Sequence, residues 1–299
     1  MFLTQLRRLS LGFTVLLLLL ISSPLVAQQA QLELSEAIVD ASRQFIGSLD
    51  TAQRAQATYE FGSEERLNWH FIPRPRQGIT LKELEAAQLV AARELLQTLF
   101  SAKGFQKTES VRDLENVLAV LEPNGPFVRD PDLYYLTVFG EPAMQGAWGI
   151  RYEGHHLAFN WTFIEGAGIE STPQFFGSNP AEVRSGDKLG TRVLAAEEDA
   201  GRRLVKSLSA AQLRAALIPG DAPRDIFSAA QKEVVALEDL GIAYALLESA
   251  QQEMLLEIIA EVASAQAETV AAARMQHIID DGIDDVKFAW IGGMERGDA

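Results

Sequence analysis

The segment Trp148-Gly149-Ile150-Arg151-Tyr152-Glu153-Gly154-His155-His156-Leu157-Ala158-Phe159-Asn160-Trp161-Thr162-Phe163 constrains the fold more than any other part of the 299-residue chain. Apolar and polar residues alternate along it, which is the pattern of strands buried on one side, and Glu153-Gly154 offers a turn between two such runs. That turn sets Tyr152 opposite His155 and Arg151 opposite His156. Trp148, Ile150, Tyr152, His155, Leu157, Phe159, Trp161 and Phe163 then form an apolar face, and Arg151, His156, Asn160 and Thr162 share the other. Leu133 to Phe139 reads as a neighbouring strand, and Val286 to Ile291 as a late one.

An apolar sheet face must be covered, and the flanking sequence supplies helices for that purpose. From Ser35, Ile38, Ala41, Phe45, Leu49 and Ala52 recur at helical spacing. Thr80 and Glu83 form a capping box ahead of a helix bearing Leu84, Ala87, Ala91, Leu95 and Leu99. Further helices are predicted at 110–121, from Asn179-Pro180 onward, at 192–208, after the capping pair Ser209 and Gln212, and at 243–280 with a break near Ser264. No internal repeat, low-complexity run or linker is recognised. The expected architecture is a single α+β domain, an antiparallel sheet around the central hairpin packed against several α-helices, over residues 28–299.

Residues 1–27 read as an export signal: Arg7 and Arg8, an apolar core from Leu11 to Ile21, and a cleavage site at Ala27. The chain has no cysteine, so disulfides and thiolate chemistry are excluded and its own core must stabilise it. A bacterial periplasm, or the extracellular space, is the expected location, with no membrane span after the signal. With 26 Lys+Arg against 41 Asp+Glu, a net charge of −15, the chain is not expected to bind nucleic acid. Nucleotide loops, zinc helices and the Gly-x-Ser-x-Gly elbow are all missing.

Two constellations remain. On the polar hairpin face, Arg151 opposite His156 is expected to hold that imidazole neutral, suited to a general base or a metal ligand, with Asn160 beside them; the alternative is a structural role closing the hairpin. Adjacent strand residues point to opposite faces, so His155 and His156 are not expected to share an ion. Trp69-His70-Phe71 with Arg74 and Arg76 is a second cationic and aromatic cluster, able to receive an anion or a sugar or else to pack as a proline-stiffened connector. His70 is its candidate metal ligand.

Trp148 to Leu157, together with Phe175-Phe176-Gly177-Ser178-Asn179-Pro180-Ala181-Glu182-Val183-Arg184, resembles the uncharacterised family called domain of unknown function 3500. The resemblance extends to Trp69-His70-Phe71, Arg76-Gln77-Gly78, Arg129-Asp130-Pro131, Tyr134-Tyr135, Arg192-Val193-Leu194, Glu197-Glu198-Asp199 and Phe288-Ala289-Trp290. It implies no activity. Relatives continue past the Phe288-Ala289-Trp290 strand into an aromatic segment with further histidines, so a chain ending at Ala299 is expected to be a shortened form.

The leading functional expectation is an exported, hydrolase-like enzyme, metal-assisted through a divalent ion at His156 and His70. His156 would act as the catalytic group, and Arg151, Asn160, Trp69 and Arg76 would hold a small anionic or carbonyl-bearing substrate. The competing class is a non-catalytic periplasmic ligand-binding or scaffold protein. A third reading assigns the Leu255, Ile258, Ile259 and Val262 stripe to subunit pairing.

Overall fold

The computed structural model describes residues 24–233 and 236–298. The predicted export signal lies outside them except for its last four residues, which form the first turn of helix α1, Pro24–Ser48. Asp50 then caps a separate helix, α2, Thr51–Ala57, so Leu49 stays in the core while Ala52, expected on the buried stripe, is exposed. Strand β1, Thr58–Tyr59, follows, and after a long connector β2, Ile79–Thr80. The Thr80 and Glu83 capping box is present, but it closes a single 3-10 turn, Leu81–Glu83; helix α3, Ala86–Leu99, starts from a second box, Glu85 and Gln88. Helix α4, Ala102–Leu121, begins a full two turns earlier than the apolar pattern suggests, because Ser101 caps it.

Strands β3, Tyr135–Phe139, β4, Ala147–Gly154, β5, Leu157–Ile164, β6, Gly168–Glu170, and β7, Gln174–Phe176, complete a mainly antiparallel sheet. Its path runs β1-β3-β4-β5-β6, with β2 on β3 and β7 on β5. Phe45, Leu95, Leu99, Trp148, Ile150, Tyr152, Phe159 and Trp161 join in one core between helices and sheet. Each such side chain contributes roughly 1.5–3 kcal/mol by leaving water. Phe100 meets the Trp161 ring edge to face at 5.2 Å, and the Trp161 indole N–H donates to Gln266 Oε1 at 2.7 Å.

Residues 177–194 contain no helix, contrary to the reading of Asn179-Pro180 as a helix start. Val183 is the reason: its N–H donates to Thr191 O at 2.9 Å and its carbonyl accepts from Gly190 N at 2.7 Å, so the loop closes on itself. The chain continues through α5, Ala195–Ser207, α6, Ala210–Ala216, β8, Leu217–Ile218, β9, Ile242–Ala243, α7, Ser249–Ala263, and α8, Glu268–Asp280. The break expected near Ser264 separates the last two helices. Lys287–Phe288 and Trp290–Ile291 are β10 and β11.

The expectation of no internal repeat is overturned. The segment α1-α2-β1-β2-α3-β3 recurs as α5-α6-β8-β9-α7-β10/β11, with the β4 to β7 hairpins placed between the two copies. β1 pairs parallel and β2 antiparallel with β3; β8 pairs parallel with β11 and β9 antiparallel with β10. Thr80 lies opposite Tyr135 as Ala243 lies opposite Lys287, and Thr58 opposite Val138 as Leu217 opposite Trp290. The residues that hold each copy are the same. Gln88 donates to Ser48 O at 3.0 Å and exchanges hydrogen bonds with Gln53; Gln251 donates to Ser207 O at 2.9 Å and exchanges them with Gln212. Gly78 and Gly241 both have positive φ, 97° and 108°, and a Cβ on either would strike the carbonyl oxygen of the facing strand, Leu136 or Phe288. The sequence carries this as Ser48-Leu49-Asp50-Thr51-Ala52-Gln53 against Ser207-Leu208-Ser209-Ala210-Ala211-Gln212, and as Gly78-Ile79, Leu84-Glu85 and Ala87-Gln88 against Gly241-Ile242, Leu247-Glu248 and Ala250-Gln251.

Candidate functional site

The hairpin turn falls at His155-His156 and not at Glu153-Gly154, since Gly154 pairs with Leu157 and Tyr152 with Phe159. The expected register is displaced by an even number of residues, so the division of β4 and β5 into two faces survives while the pairs change. Arg151 faces Asn160 across the ladder, not His156. His156 takes a left-handed φ of 57° at the turn, which its neighbours stabilise: its N–H donates to Phe71 O at 2.7 Å and its carbonyl accepts from Gly177 N at 2.8 Å.

Arg151 does not reach a solvent-facing hollow. It is 0% exposed, and its guanidinium is consumed by Glu65 Oε1, by the Glu65 carbonyl at 2.5 Å and by Glu153 Oε1 at 2.9 Å. Glu153, equally buried, accepts from the His70 N–H at 2.8 Å and lies 3.6 Å from Arg76 Nε. Arg76 donates to the carbonyls of His70, Ile72 and Gly154 at 2.9, 2.7 and 3.1 Å. Burial pushes the Glu153 carboxyl up while the two guanidinium groups pull it down, and burial lowers Arg76. Arg151 and Arg76, both expected at a ligand, instead pin residues 65–78 to the sheet. An interior arginine offering a planar fork to carboxylates and carbonyls suits that task better than lysine.

The pinned connector forms one wall of a cavity of about 580 Å³ over the polar sheet face. Trp69, Phe139 and Phe175 provide aromatic surface, Asn160, Thr162 and Gln174 provide polar groups, and Ile226, Gln231 and Leu237 form the opposite wall. The Trp69 indole N–H donates to Gln231 O at 3.3 Å, linking the walls, and Asn160 Nδ2 donates to Pro173 O at 3.3 Å, leaving its oxygen uncommitted among the described residues. Arg66 also borders the cavity. It lies 4.6 Å from the Phe61 ring and donates through Nε to Phe61 O at 3.1 Å, and no salt bridge to it occurs among the described residues. Of the predicted residues, Trp69 and Asn160 therefore meet at one cavity.

The histidines lie elsewhere. The His156 ring sits 4.0 Å from that of His155, and its pKa is pushed down to about 3, first by burial and then by His155 and Arg129. The expected neutrality is present, but burial is the leading cause and Arg151 has no part in it. His70 is lowered by burial and by Arg74 and Arg76, and its Nδ1 accepts from the Phe71 N–H at 3.2 Å. No group of three or more His, Asp or Glu able to hold a metal ion occurs among the described residues.

Sequence reasoning missed Glu115. Its carboxylate lies 2.5 Å from His155 Nδ1, and Arg129 stands 3.3 Å from the same nitrogen while bonding Glu122 at 2.6 Å. The available signal was a carboxylate on the apolar stripe of α4, between the buried Val111, Leu114 and Leu118. Leu121, next to Glu122 in sequence, walls a cleft of about 300 Å³ with Pro180, Ala181 and Arg184.

No helix among the described residues is long and apolar enough to cross a membrane. A family model described as "Protein of unknown function (DUF3500)" matches residues 32–299, as the motifs around the hairpin suggest. No curated protein and no solved structure matches the chain.

Proposed function

The chain belongs to the DUF3500 family, whose description names no activity, and from its geometry we propose an exported, non-catalytic protein that binds a small organic anion with an apolar body. The observation that carries this reading is the 580 Å³ cavity in which Trp69, Phe139 and Phe175 face Asn160 and Thr162, with two cations, Arg66 and Lys232, and one acid, Glu233, also in its lining. Aromatic walls with a few convergent polar groups are the common form of a small-molecule site. In a chain of net charge −15, an unpaired guanidinium at an aromatic cavity selects a carboxylate. Arg151, Glu153 and Arg76 act as positioning residues, fixing the wall that carries Arg66 and Trp69.

A thermal-shift screen of benzoate, indole-3-acetate and their amides tests the reading. The carboxylates should stabilise the protein, by about 2.7 kcal/mol at a hundred times Kd. Arg66→Gln should reduce the shift and Asn160→Leu abolish it. Equal shifts in all three proteins, or none in any, would refute the proposal. Export is tested separately by whether the mature chain begins at Gln28 in a periplasmic fraction.

A second reading, hydrolysis, is favoured by one observation: Glu115 meets His155 at Nδ1, and no hydrogen bond engages Nε2 among the described residues, which suits that nitrogen to act as an acid or base. His155, not His156, would then be the catalytic imidazole. Ester hydrolysis abolished by His155→Gln with folding intact would support it.

A further inference from the structure

The aromatic cavity is lined from two connectors that the repeat makes equivalent, one joining β1 to β2 and the other β8 to β9. Arg66, Leu67 and Trp69 come from the first, and Ile226, Ser228, Gln231 and Lys232 from the second. The two are held very differently. Residues 65–78 are pinned to the sheet through Arg151, Glu153 and Arg76, and Phe71 O accepts from His156 N at 2.7 Å. In 224–233 the backbone bonds are local, Ala229 N to Ile226 O at 3.0 Å and Gln231 N to Ser228 O at 3.2 Å, and residues 224–229 are exposed. This stretch is tied across the cavity by the Trp69 indole bond to Gln231 O at 3.3 Å, by Ala230 packed against Trp69, Phe71 and Ala158, and by the Lys232 ion pair with Glu64 at 3.6 Å. The two side chains of that pair are 55% and 87% exposed, so it contributes little. A stretch with local backbone bonds and few buried contacts opens at low cost.

The charges of the lining bear on what would close it. Arg66 and Lys232 against Glu233 leave a balance of one positive charge, which a single carboxylate neutralises. One cation stands on the pinned connector and the other on the loosely held one.

We propose that the carboxylate of the bound anion is held by Arg66 and Lys232 together, so that 224–233 opens to admit the ligand and closes over it when Lys232 exchanges Glu64 for the ligand. The proposal rests on the reading of the cavity as an organic-anion site and names the residue that completes it. A guanidinium fork engages one side of a carboxylate and leaves the remaining lone pairs for an ammonium. The planar group on the fixed wall sets the ligand's orientation, and the flexible stem of Lys232 follows it from the moving one. Beside the aromatic walls the attraction is stronger than at the solvated Glu64, because the local dielectric is lower. A neutral amide of the same shape lacks this contact with Lys232, so it has no preference by which to shift the connector.

Backbone hydrogen exchange of the intact protein, read by mass spectrometry with saturating indole-3-acetate or indole-3-acetamide, tests the proposal. With the carboxylate, the amides of 224–233 should exchange about tenfold more slowly and trypsin should cut more slowly after Arg224, whereas the amide should change neither. Lys232→Gln, at an exposed position, should melt like the parent chain without ligand, bind indole-3-acetate about tenfold more weakly in calorimetry and lose the protection. Lys232→Arg should keep both. Binding of indole-3-acetate without slower exchange in 224–233, or with full affinity in Lys232→Gln, would overturn this proposal and leave the anion site at Arg66 standing. Failure of every carboxylate in the thermal-shift screen to bind would overturn both.

Discussion

Replacing Arg151 with Met is the sharpest test of the claim that a buried ion network builds the cavity wall. The substitution keeps a similar apolar volume but leaves the fully buried Glu153 with Arg76 alone, 3.6 Å away, and removes the bonds to the Glu65 carboxylate and carbonyl. Breaking a buried pair from one side costs about 3–5 kcal/mol, because the remaining charge is stranded. For a domain of this size that corresponds to a melting point lower by roughly 6–15 °C. Thermal denaturation followed by circular dichroism measures it. The deficit should also depend on pH. Burial already raises the Glu153 carboxyl, and losing Arg151 should raise it further, so the folded variant should hold its proton to a higher pH than the unfolded chain does. The deficit should therefore shrink as the pH is lowered through the raised pKa. Adding Glu153→Gln should restore part of the loss, a coupling readable in a double-mutant cycle. A loss below about 1 kcal/mol, within the range of an ordinary surface substitution, or a deficit flat with pH, would refute the reasoning.

Other expectations follow from single groups. His156 is neutral in the fold with a pKa near 3, so the unfolded chain gains a proton first as acid is added. Stability should fall from about pH 6.5 towards pH 3 with a slope of up to about 1.4 kcal/mol per unit, and His156→Asn, which tolerates the same φ, should flatten that slope. Gln88→Ala and Gln251→Ala each remove the equivalent amide bridge, and each should cost about 1–3 kcal/mol in chemical denaturation; a loss at one site only would contradict the equivalence of the two copies. Gly78→Ala and Gly241→Ala should both lower the melting point, since each places a Cβ within 2.8 Å of a facing carbonyl oxygen at positive φ.

The elements that were legible in the sequence were those whose signal is local. The alternation from Trp148 to Phe163 fixes the two sheet faces whichever turn is chosen, because an even displacement keeps every side chain on its face. The turn is not legible: Glu153-Gly154 has turn-like composition, but Glu153 is required inside as the partner of Arg151 and Arg76, and the chain reverses two residues later. Helical spacing continues across Asp50 and extends the apparent stripe to Ala52, but the bond that Asp50 accepts from Gln53 N at 2.8 Å caps a new helix there.

The site was half legible. Trp69 reaches the cavity from the connector and Asn160 from the sheet, and both belong to segments whose composition marks them. For Arg151 and Arg76 the sequence offers no such distinction, because a guanidinium looks the same whether it faces a ligand or a buried carboxylate; the placement of Glu65 and Glu153 shows that these two meet carboxylates. Glu115, 40 residues from His155, and the wall around Gln231, more than 160 residues from Trp69, leave no spacing to detect. The repeat leaves only a faint trace in the sequence, Gln-centred segments 159 and 163 positions apart with β4 to β7 standing between the two copies.

The central claim, that the sheet and the pinned connector enclose a binding cavity at Trp69, is tested most directly by fluorine NMR of protein labelled with 5-fluorotryptophan. The four tryptophans give four resonances, with Trp69 assigned through Trp69→Phe. On titration with indole-3-acetate the Trp69 signal should move saturably while that of Trp148, sealed in the core at 1% exposure, stays fixed. A Trp69 resonance that does not respond to any of the carboxylates in the thermal-shift screen would contradict the account.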